Sequence, residues 1–288
     1  FIIATTPGKV PVVDTRMLER ALAQASRSFR DRLSESLATE HGAADGARVL
    51  ARWGDAFPGS YAERYTASGA VQDIRLAERA LEEGALQLSL ERPGGAPPSC
   101  FALKLYNPGG TVALSDIVPL IETLGLRVLE EIPHELQVLD ALALALQVLK
   151  VASADGSAID LGARGPALLE ALSAIWEGRA EADGFNRLVL RAGLTWREAW
   201  LLRAMFKWCR QVGFPFSQGA VEDALSAHPE AARWLIDTFN HRFDPEDEGA
   251  EDEAAWAALL DRVENPDEDR ILRRLRTLLD AVLRTNFW

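Results

Sequence analysis

The sequence predicts an α+β protein, with a small β-sheet in the middle of the chain and helices on either side of it. Between residues 85 and 136, stretches of apolar residues alternate with polar ones, which is the two-residue period of β-strands. Before and after this part, apolar residues recur every three or four positions, which is typical of amphipathic helices. The chain has 288 residues, 48% of them apolar, and is therefore long enough for two or three hydrophobic cores.

The first 84 residues are predicted to be mostly helical after a short β-rich stretch at residues 1–5. Asp14 is placed to cap one long amphipathic helix that continues to about Gly42. The apolar face of this helix is Leu18, Leu22, Ala25, Phe29, Leu33 and Leu37. Further helices are expected on both sides of Pro58-Gly59, with four aromatic packing anchors: Trp53, Phe57, Tyr61 and Tyr65.

A strand, a tight turn, a helix and a second strand are predicted within residues 101–136. Phe101, Leu103 and Leu105 alternate with their neighbours, so one face of the first strand should be buried. The turn is Pro108-Gly109-Gly110, where the two glycines permit positive φ angles and a close approach by another backbone or a small ligand.

Ser115 is predicted as the N-cap of the helix that follows this turn, with Asp116 in its first turn and Gly125 at its end. Residues 86–90 alternate in the same way as the strand, and a loop rich in proline and glycine joins them to it as a hairpin. The run at residues 142–152 fits a strand or a helix, because leucine and alanine suit both. The order β, β, α, β, β, α resembles a ferredoxin-like sandwich with helices on one face of the sheet.

The last hundred residues are predicted to be helical. Thr195 and Glu198 fit a capping box, and the helix that they start should bury Leu201, Met205, Trp208 and Val212. Pro229 suits the first position of another helix. A final helix starts near Asn265, where the acids 267–269 precede four arginines within residues 270–276, so a salt-bridged surface is expected there.

Charge and composition exclude several classes of partner. The net charge of −12 argues against nucleic acid, whose binding depends on a basic surface. The sequence contains no apolar run long enough for a membrane span, so no membrane partner is expected. Two distant cysteines, Cys100 and Cys209, have no disulfide spacing and are expected in a reducing cytoplasm.

Motifs for catalysis and cofactors are missing from the sequence. No two of the 21 glycines stand two positions apart, as a dinucleotide-binding turn requires, so no NAD site is expected in this chain. His241, Asp244 and Asp247 form only a loose group of metal-binding residue types, and no metal site is expected. Cys209 is interpreted as a packed thiol rather than a nucleophile. We therefore predict no catalytic residue in this chain.

Three stretches carry a resemblance to a known family. They are KLYNPGGTVALSDIVPLIETLGLRVLEEIPHEL at residues 104–136, DGFNRLVLRAGLTWREAWLLRAMFKWCRQVGFPFSQGAVEDALSAHPEAARWLIDTFNHRFDP from Asp183 to Pro245, and DEDRILRRLRTLLDAVLRTNFW at the end of the chain. These stretches resemble the sequences of the large bacterial NAD-specific glutamate dehydrogenases, in the part just upstream of their catalytic domain. Those are very long polypeptides with regulatory ACT-type domains ahead of the enzyme.

The resemblance implies an ACT-like domain at residues 85–180, between a helical segment at 1–84 and a helical module at 181–288. It implies a parent polypeptide that converts L-glutamate, NAD and water to 2-oxoglutarate, ammonia and NADH. This chain alone should be inactive, because the residues for hydride transfer would lie beyond Trp288. Its expected partners are the rest of the same polypeptide and further copies of it in a homo-oligomer.

The resemblance also implies one ligand site. ACT-type domains bind small amino acids at the turn between the first strand and the first helix, which here corresponds to Asn107, Gly109, Gly110, Ser115 and Asp116. Backbone amides there would hold a carboxylate, and Asp116 would face an ammonium group. The simpler interpretation is that the two glycines only shape a tight connection and that Ser115 only caps a helix.

A second class of protein fits the same features. The chain could be a stand-alone amino-acid sensor of the ACT type, or a scaffold, with no enzyme attached. A selective rise in melting temperature with one amino acid would favour sensing, because a ligand that binds only the folded state stabilises it.

Overall fold

A computed structural model describes residues 15–17, 19, 27–139, 144–246, 249 and 251–287. The chain divides into two compact units. One consists of Phe1–Gln87, Tyr106–Gly110 and His134–Leu146, and the other of Leu88–Leu105, Thr111–Pro133 and Gln147–Trp288. The domain boundaries predicted after residues 84 and 180 stay predictions.

The first unit is built mainly from helices. These are α1 (Phe29–His41), α2 (Ala43–Trp53), α3 (Gly59–Ala62) and α4 (Ala67–Glu83). The predicted aromatic anchors are confirmed, since Trp53 and Tyr61 are fully buried and Tyr61 stacks between Phe57 and Tyr65 at centroid distances of 4.5 and 4.7 Å.

The prediction of one unbroken helix before Gly42 is wrong. A new helix starts at Phe29, because the Ser28 hydroxyl accepts from the Asp31 amide while the Asp31 carboxylate accepts from the Ser28 amide. This capping box ends any helix arriving from the N-terminal side. The β-rich stretch 1–5, the expected cap Asp14 and three positions of the expected apolar face lie outside the described residues: Leu18, Leu22 and Ala25.

Four strands form one antiparallel sheet, in the order β1-β2-β4-β3. The strands are β1 (Gln87–Glu91), β2 (Cys100–Pro108), β3 (Leu126–Leu136) and β4 (Leu144–Ser153). Helix α5 (Leu114–Thr123) connects β2 to β3, and α6 (Leu161–Trp176) follows β4. The predicted α+β class and the β1–β2 hairpin are confirmed, and the run at 142–152 is a strand from Leu144 onward.

The expectation that β2 buries only one face is wrong. All residues from Phe101 to Tyr106 are buried, including Lys104, whose ammonium group lies 2.8 Å from the Glu91 carboxylate. Strand β2 lies between β1 and β4, and both of its faces are removed from solvent along these residues. Strand β4 is buried in the same way along most of its length.

The rest of the chain is helical. A 3-10 turn at Gly184–Asn186 leads into the following helices: α7 (Arg187–Arg191), α8 (Trp196–Gln211), α9 (Gln218–Ala227), α10 (Pro229–Phe243), α11 (Glu253–Leu260) and α12 (Pro266–Asp280). The capping box at Thr195 and Glu198 and the first-position proline of α10 are confirmed. On α12, Arg270, Arg273 and Arg276 pair with nearby acids, as predicted.

The buried face of α8 differs from the prediction. Leu201 and Met205 are buried, but Trp208 and Val212 are exposed, while Leu202, Arg203, Phe206 and Cys209 point inward. The prediction followed apolar residues alone and did not consider Arg203. The inward face of α8 therefore includes a buried arginine and leaves Trp208 outside.

Candidate functional site

The turn after β2 has the backbone geometry that its glycines predict. Gly109 and Gly110 have φ angles of +90° and +129°, which side chains other than glycine rarely adopt. Asn107 closes the turn, because its Nδ2 donates a 2.8 Å hydrogen bond to the Gly110 carbonyl. A Cβ added at either glycine would meet nothing within 4 Å, so the glycines are required by conformation and not by crowding.

The prediction that Ser115 caps α5 is wrong. The N-cap is Ala113, which offers no side-chain hydrogen bond, and Ser115 lies inside the first turn. The Ser115 hydroxyl donates instead to the Asp116 carboxylate at 3.1 Å. The amides of Asp116 and Ile117 donate to the Ala113 carbonyl, so they are already used. Asp116 itself is exposed, and the ligand site that the resemblance implies at these residues stays a prediction.

A buried glutamine that was not predicted holds the segment leading into α5. Gln147 on β4 is 1% exposed. Its Oε1 accepts from the Val112 amide at 2.6 Å, and its Nε2 donates to the Val112 carbonyl at 2.9 Å and to Glu131 at 2.7 Å. The signal in the sequence was one amide in a mostly apolar run whose other polar residues are Lys150 and Ser153, and the partners of the amide were not visible there.

We expect Gln147→Leu to lower the free energy of unfolding by about 1–3 kcal/mol, because the buried Val112 amide and carbonyl lose their partners. Hydrogen exchange of the Val112 amide should also become faster. Gln72→Leu, on the exposed side of α4, is the matched control and should change stability by less than about 0.5 kcal/mol. Equal effects of the two changes would contradict the role assigned to Gln147.

Cys209 lies in the core, as predicted. It has no exposed surface, and burial raises the pKa of its thiol, although Arg274 acts in the opposite direction. Cys100 is only partly buried, and neither cysteine forms a disulfide. A buried thiol with a raised pKa holds little thiolate at neutral pH, so it is a poor nucleophile.

We expect a thiol reagent such as DTNB to modify Cys100 in the native chain and Cys209 only after denaturation. The Cys100→Ser variant should then show almost no reaction until it is unfolded. Fast native labelling of Cys209 would contradict this expectation.

Within the described ranges, no group of three or more His, Cys, Asp or Glu side chains is arranged to hold a metal ion. Asp247 of the loose acidic group lies outside them. None of the helices in these ranges combines the length and the hydropathy that a membrane crossing needs.

Three family models match the chain along its length. They are "Glutamate dehydrogenase, helical motif 2" at residues 36–80, "Glutamate dehydrogenase, ACT3 domain" at residues 85–164 and "Glutamate dehydrogenase, helical motif 3" at residues 180–245. The ACT3 match covers the strands and α5 described above. The fold and these matches define an ACT-domain protein with helical motifs on both sides.

Whole-chain relatives give the more specific assignment. The chain is 37% identical over 297 residues to the NAD-specific glutamate dehydrogenase of Halomonas elongata and 36% identical over 297 residues to that of Pseudomonas aeruginosa. It is 33% identical over 299 residues to the enzyme of Mycobacterium tuberculosis. These alignments cover at least 99% of this chain but only 18% of each relative. The chain belongs to the NAD-specific glutamate dehydrogenase family and corresponds to part of a much longer polypeptide.

Proposed function

We propose that this chain is a regulatory and structural segment of an NAD-dependent glutamate dehydrogenase. The parent polypeptide would convert L-glutamate, NAD and water to 2-oxoglutarate, ammonia and NADH, with the chemistry and the NAD site outside this segment. The observation that carries the proposal is that the entire chain matches a segment of NAD-specific glutamate dehydrogenases that makes up 18% of their length. The two free cysteines support a cytoplasmic location.

A comparison of the segment with its parent tests the division of labour. The parent polypeptide should form NADH from glutamate and NAD, and the purified 288-residue chain should not. Formation of NADH by the chain alone, abolished by heat denaturation, would show that it carries its own active site. No glutamate-dependent reduction of NAD by the parent would overturn the assignment of the reaction.

Association with other parts of the assembly is supported by an exposed apolar stripe on α8. Trp200 and Trp208 lie eight positions apart on α8, about 80° from each other around the helix, and Val212 follows four positions later as its C-cap; their exposed fractions are 43, 42 and 54%. Tryptophan is enriched at protein interfaces and uncommon on free surfaces. We propose that this stripe packs against the remainder of the parent polypeptide or a neighbouring subunit.

We expect the double variant Trp200→Ser, Trp208→Ser to weaken the assembly of the parent polypeptide. A fall in native mass, measured by light scattering after gel filtration, would identify a contact between subunits. An unchanged mass with a lower melting temperature would identify a contact within one polypeptide. Arg210→Ala, an exposed change on the same helix, is the control. A double variant that matches this control in both measurements would contradict the proposed contact.

Regulation by a small amino acid is the second part of the proposal. The ACT3 match supports it, because ACT-type domains in this family precede the enzyme as regulatory domains. The turn with Asn107, Gly109, Gly110, Ser115 and Asp116 is the position that the resemblance implies for the ligand. Loss of amino-acid binding in Asp116→Ala would place the ligand there.

A further inference from the structure

A cavity of about 240 Å³ lies beyond the C-terminal end of β4, at a distance along the chain from the β2–α5 turn. The loop after β4 contributes Asp155, the start of α6 contributes Asp160 and Arg164, and the end of α7 contributes Arg191. The volume is below the roughly 300–1,000 Å³ of sites for drug-sized molecules, so the cavity suits only a small ligand. Its charged lining consists of two arginines and two aspartates.

Half of this lining is paired internally. Arg191 lies 2.7 Å from Asp155, and Asp155 also accepts hydrogen bonds from the Ser153 hydroxyl and from the Ser157 amide. The hydrogen bonds from Ser153 and Ser157, with a smaller contribution from Arg191, hold the pKa of Asp155 well below its usual range. Asp155 therefore stays anionic and keeps Arg191 in place.

The other half of the lining is available to a ligand. Among the described residues, the Arg164 guanidinium forms no ion pair or side-chain hydrogen bond. Asp160 uses one carboxylate oxygen, Oδ1, to accept from the amides of Gly162 and Ala163 and so cap α6. Within the same ranges its second oxygen, Oδ2, has no hydrogen-bond partner.

The unpaired guanidinium lies against Gly193. A Cβ at Gly193 would lie 1.2 Å from Arg164 Nη1, so a side chain there would make the guanidinium move. Gly193 also has a φ of +67°, which glycine adopts without strain. A half-buried arginine without a partner, packed against a glycine beside a cavity, is arranged to meet an anion from outside the chain.

We propose that this cavity binds a small zwitterionic α-amino acid, with the ligand carboxylate on Arg164 and its ammonium group at Asp160 Oδ2. Guanidinium pairs with carboxylate through two parallel hydrogen bonds, and such charged hydrogen bonds are the strong ones. The lining has no net charge, which matches a zwitterion. A dianion would face two aspartates and a simple cation would face two arginines. The inference deepens the proposed regulatory role and gives it a site other than the β2–α5 turn.

The test is isothermal titration calorimetry of the 288-residue chain with the twenty amino acids at millimolar concentration. At least one should bind saturably, and Arg164→Gln should weaken that binding about 10- to 100-fold, as expected for a lost charged hydrogen bond. Gly193→Ala, which displaces the guanidinium without removing it, should weaken binding as well. Asp160→Asn keeps an oxygen to cap α6 and should discriminate less between the amino acid and its 2-oxo analogue. Circular dichroism checks that each variant is folded. If Arg164→Gln is not folded, Arg164→Lys is measured in its place.

Asp116→Ala is the matched control at the other candidate position and should leave this binding unchanged. The proposal is overturned if no amino acid binds, if Arg164→Gln binds the amino acid as tightly as the unsubstituted chain does, or if only Asp116→Ala loses the ligand. The test reads binding to the chain itself and does not depend on dehydrogenase activity. Binding at Arg164 without any change in the rate of the parent enzyme would leave the site in place and overturn the regulatory role.

Discussion

Replacing Arg203 with alanine is expected to lower the free energy of unfolding by about 3–5 kcal/mol, because it removes a buried guanidinium and leaves the partly buried Asp183 carboxylate without its counter-charge. The Arg203 side chain is 1% exposed. Its Nε and Nη2 lie 2.6 and 2.7 Å from the two oxygens of Asp183, and Nη2 also donates to Asn186 at 3.0 Å. Asp183 caps the 3-10 turn and accepts from Gln218 on α9, so one arginine ties three elements together.

Urea denaturation followed by tryptophan fluorescence measures this loss. Arg210→Ala, on the exposed side of the same helix, removes an arginine without a buried partner and should cost less than about 0.5 kcal/mol. The double variant Arg203→Met, Asp183→Ala removes both charges and should recover part of the loss, because an apolar pair can replace a buried ion pair at little cost. If Arg203→Ala proved as mild as Arg210→Ala, the buried pair would not support the helical module.

Asp73→Ala is expected to have the second large effect, a loss of about 2–6 kcal/mol, because two buried hydroxyls lose their acceptor. Asp73 lies on α4 and is 2% exposed. Its carboxylate accepts from the Tyr61 hydroxyl at 2.5 Å and from the Tyr106 hydroxyl at 2.7 Å. Both tyrosines are fully buried, so their hydroxyls have no contact with bulk solvent that would supply another acceptor.

Two comparisons separate this hydrogen-bonded cluster from a general effect of substitution. Glu82→Ala, exposed on the same helix, should be nearly neutral. The triple variant Asp73→Ala, Tyr61→Phe, Tyr106→Phe removes donors and acceptor together and should be more stable than Asp73→Ala alone. A triple variant less stable than Asp73→Ala would show that cavity formation outweighs the unsatisfied hydroxyls.

The same cluster predicts how stability depends on alkaline pH. Burial, and then the neighbouring Asp73 carboxylate, raise the pKa of Tyr61 far above its ordinary value of 10.0. When the pH exceeds the ordinary tyrosine pKa of 10.0, Tyr61 loses its proton in the unfolded state but keeps it in the folded state. The folded state then binds more protons, so the free energy of unfolding falls as the pH rises. Thermal melts between pH 9 and roughly 11 should show this loss, and Tyr61→Phe should reduce its slope.

Local features were predictable because they depend on residues close together in the sequence. The capping box at Thr195 needs only Glu198, three positions later, and the turn after β2 needs only glycines that tolerate positive φ. The start of α5 was mispredicted for the same reason. Ser115 is a suitable capping residue, but the helix begins two residues earlier, with Ala113 as its N-cap, and the Ser115 hydroxyl contacts Asp116.

The sequence by itself determined the α+β class and the strand–turn–helix order around the ACT-like sheet, since these follow from short-range periodicity. It also determined the family, through three stretches that resemble the sequences of known members. Only the tertiary structure decided which side of α8 faces inward, why both faces of β2 are buried, and that Gln147 and Arg164 matter. Burial depends on residues far apart in the chain. Arg203 can lie in the core because Asp183, twenty positions earlier, supplies its counter-charge, and the Arg164 guanidinium lies beside the cavity, against Gly193. The pattern of polar and apolar residues along the chain does not predict such long-range contacts.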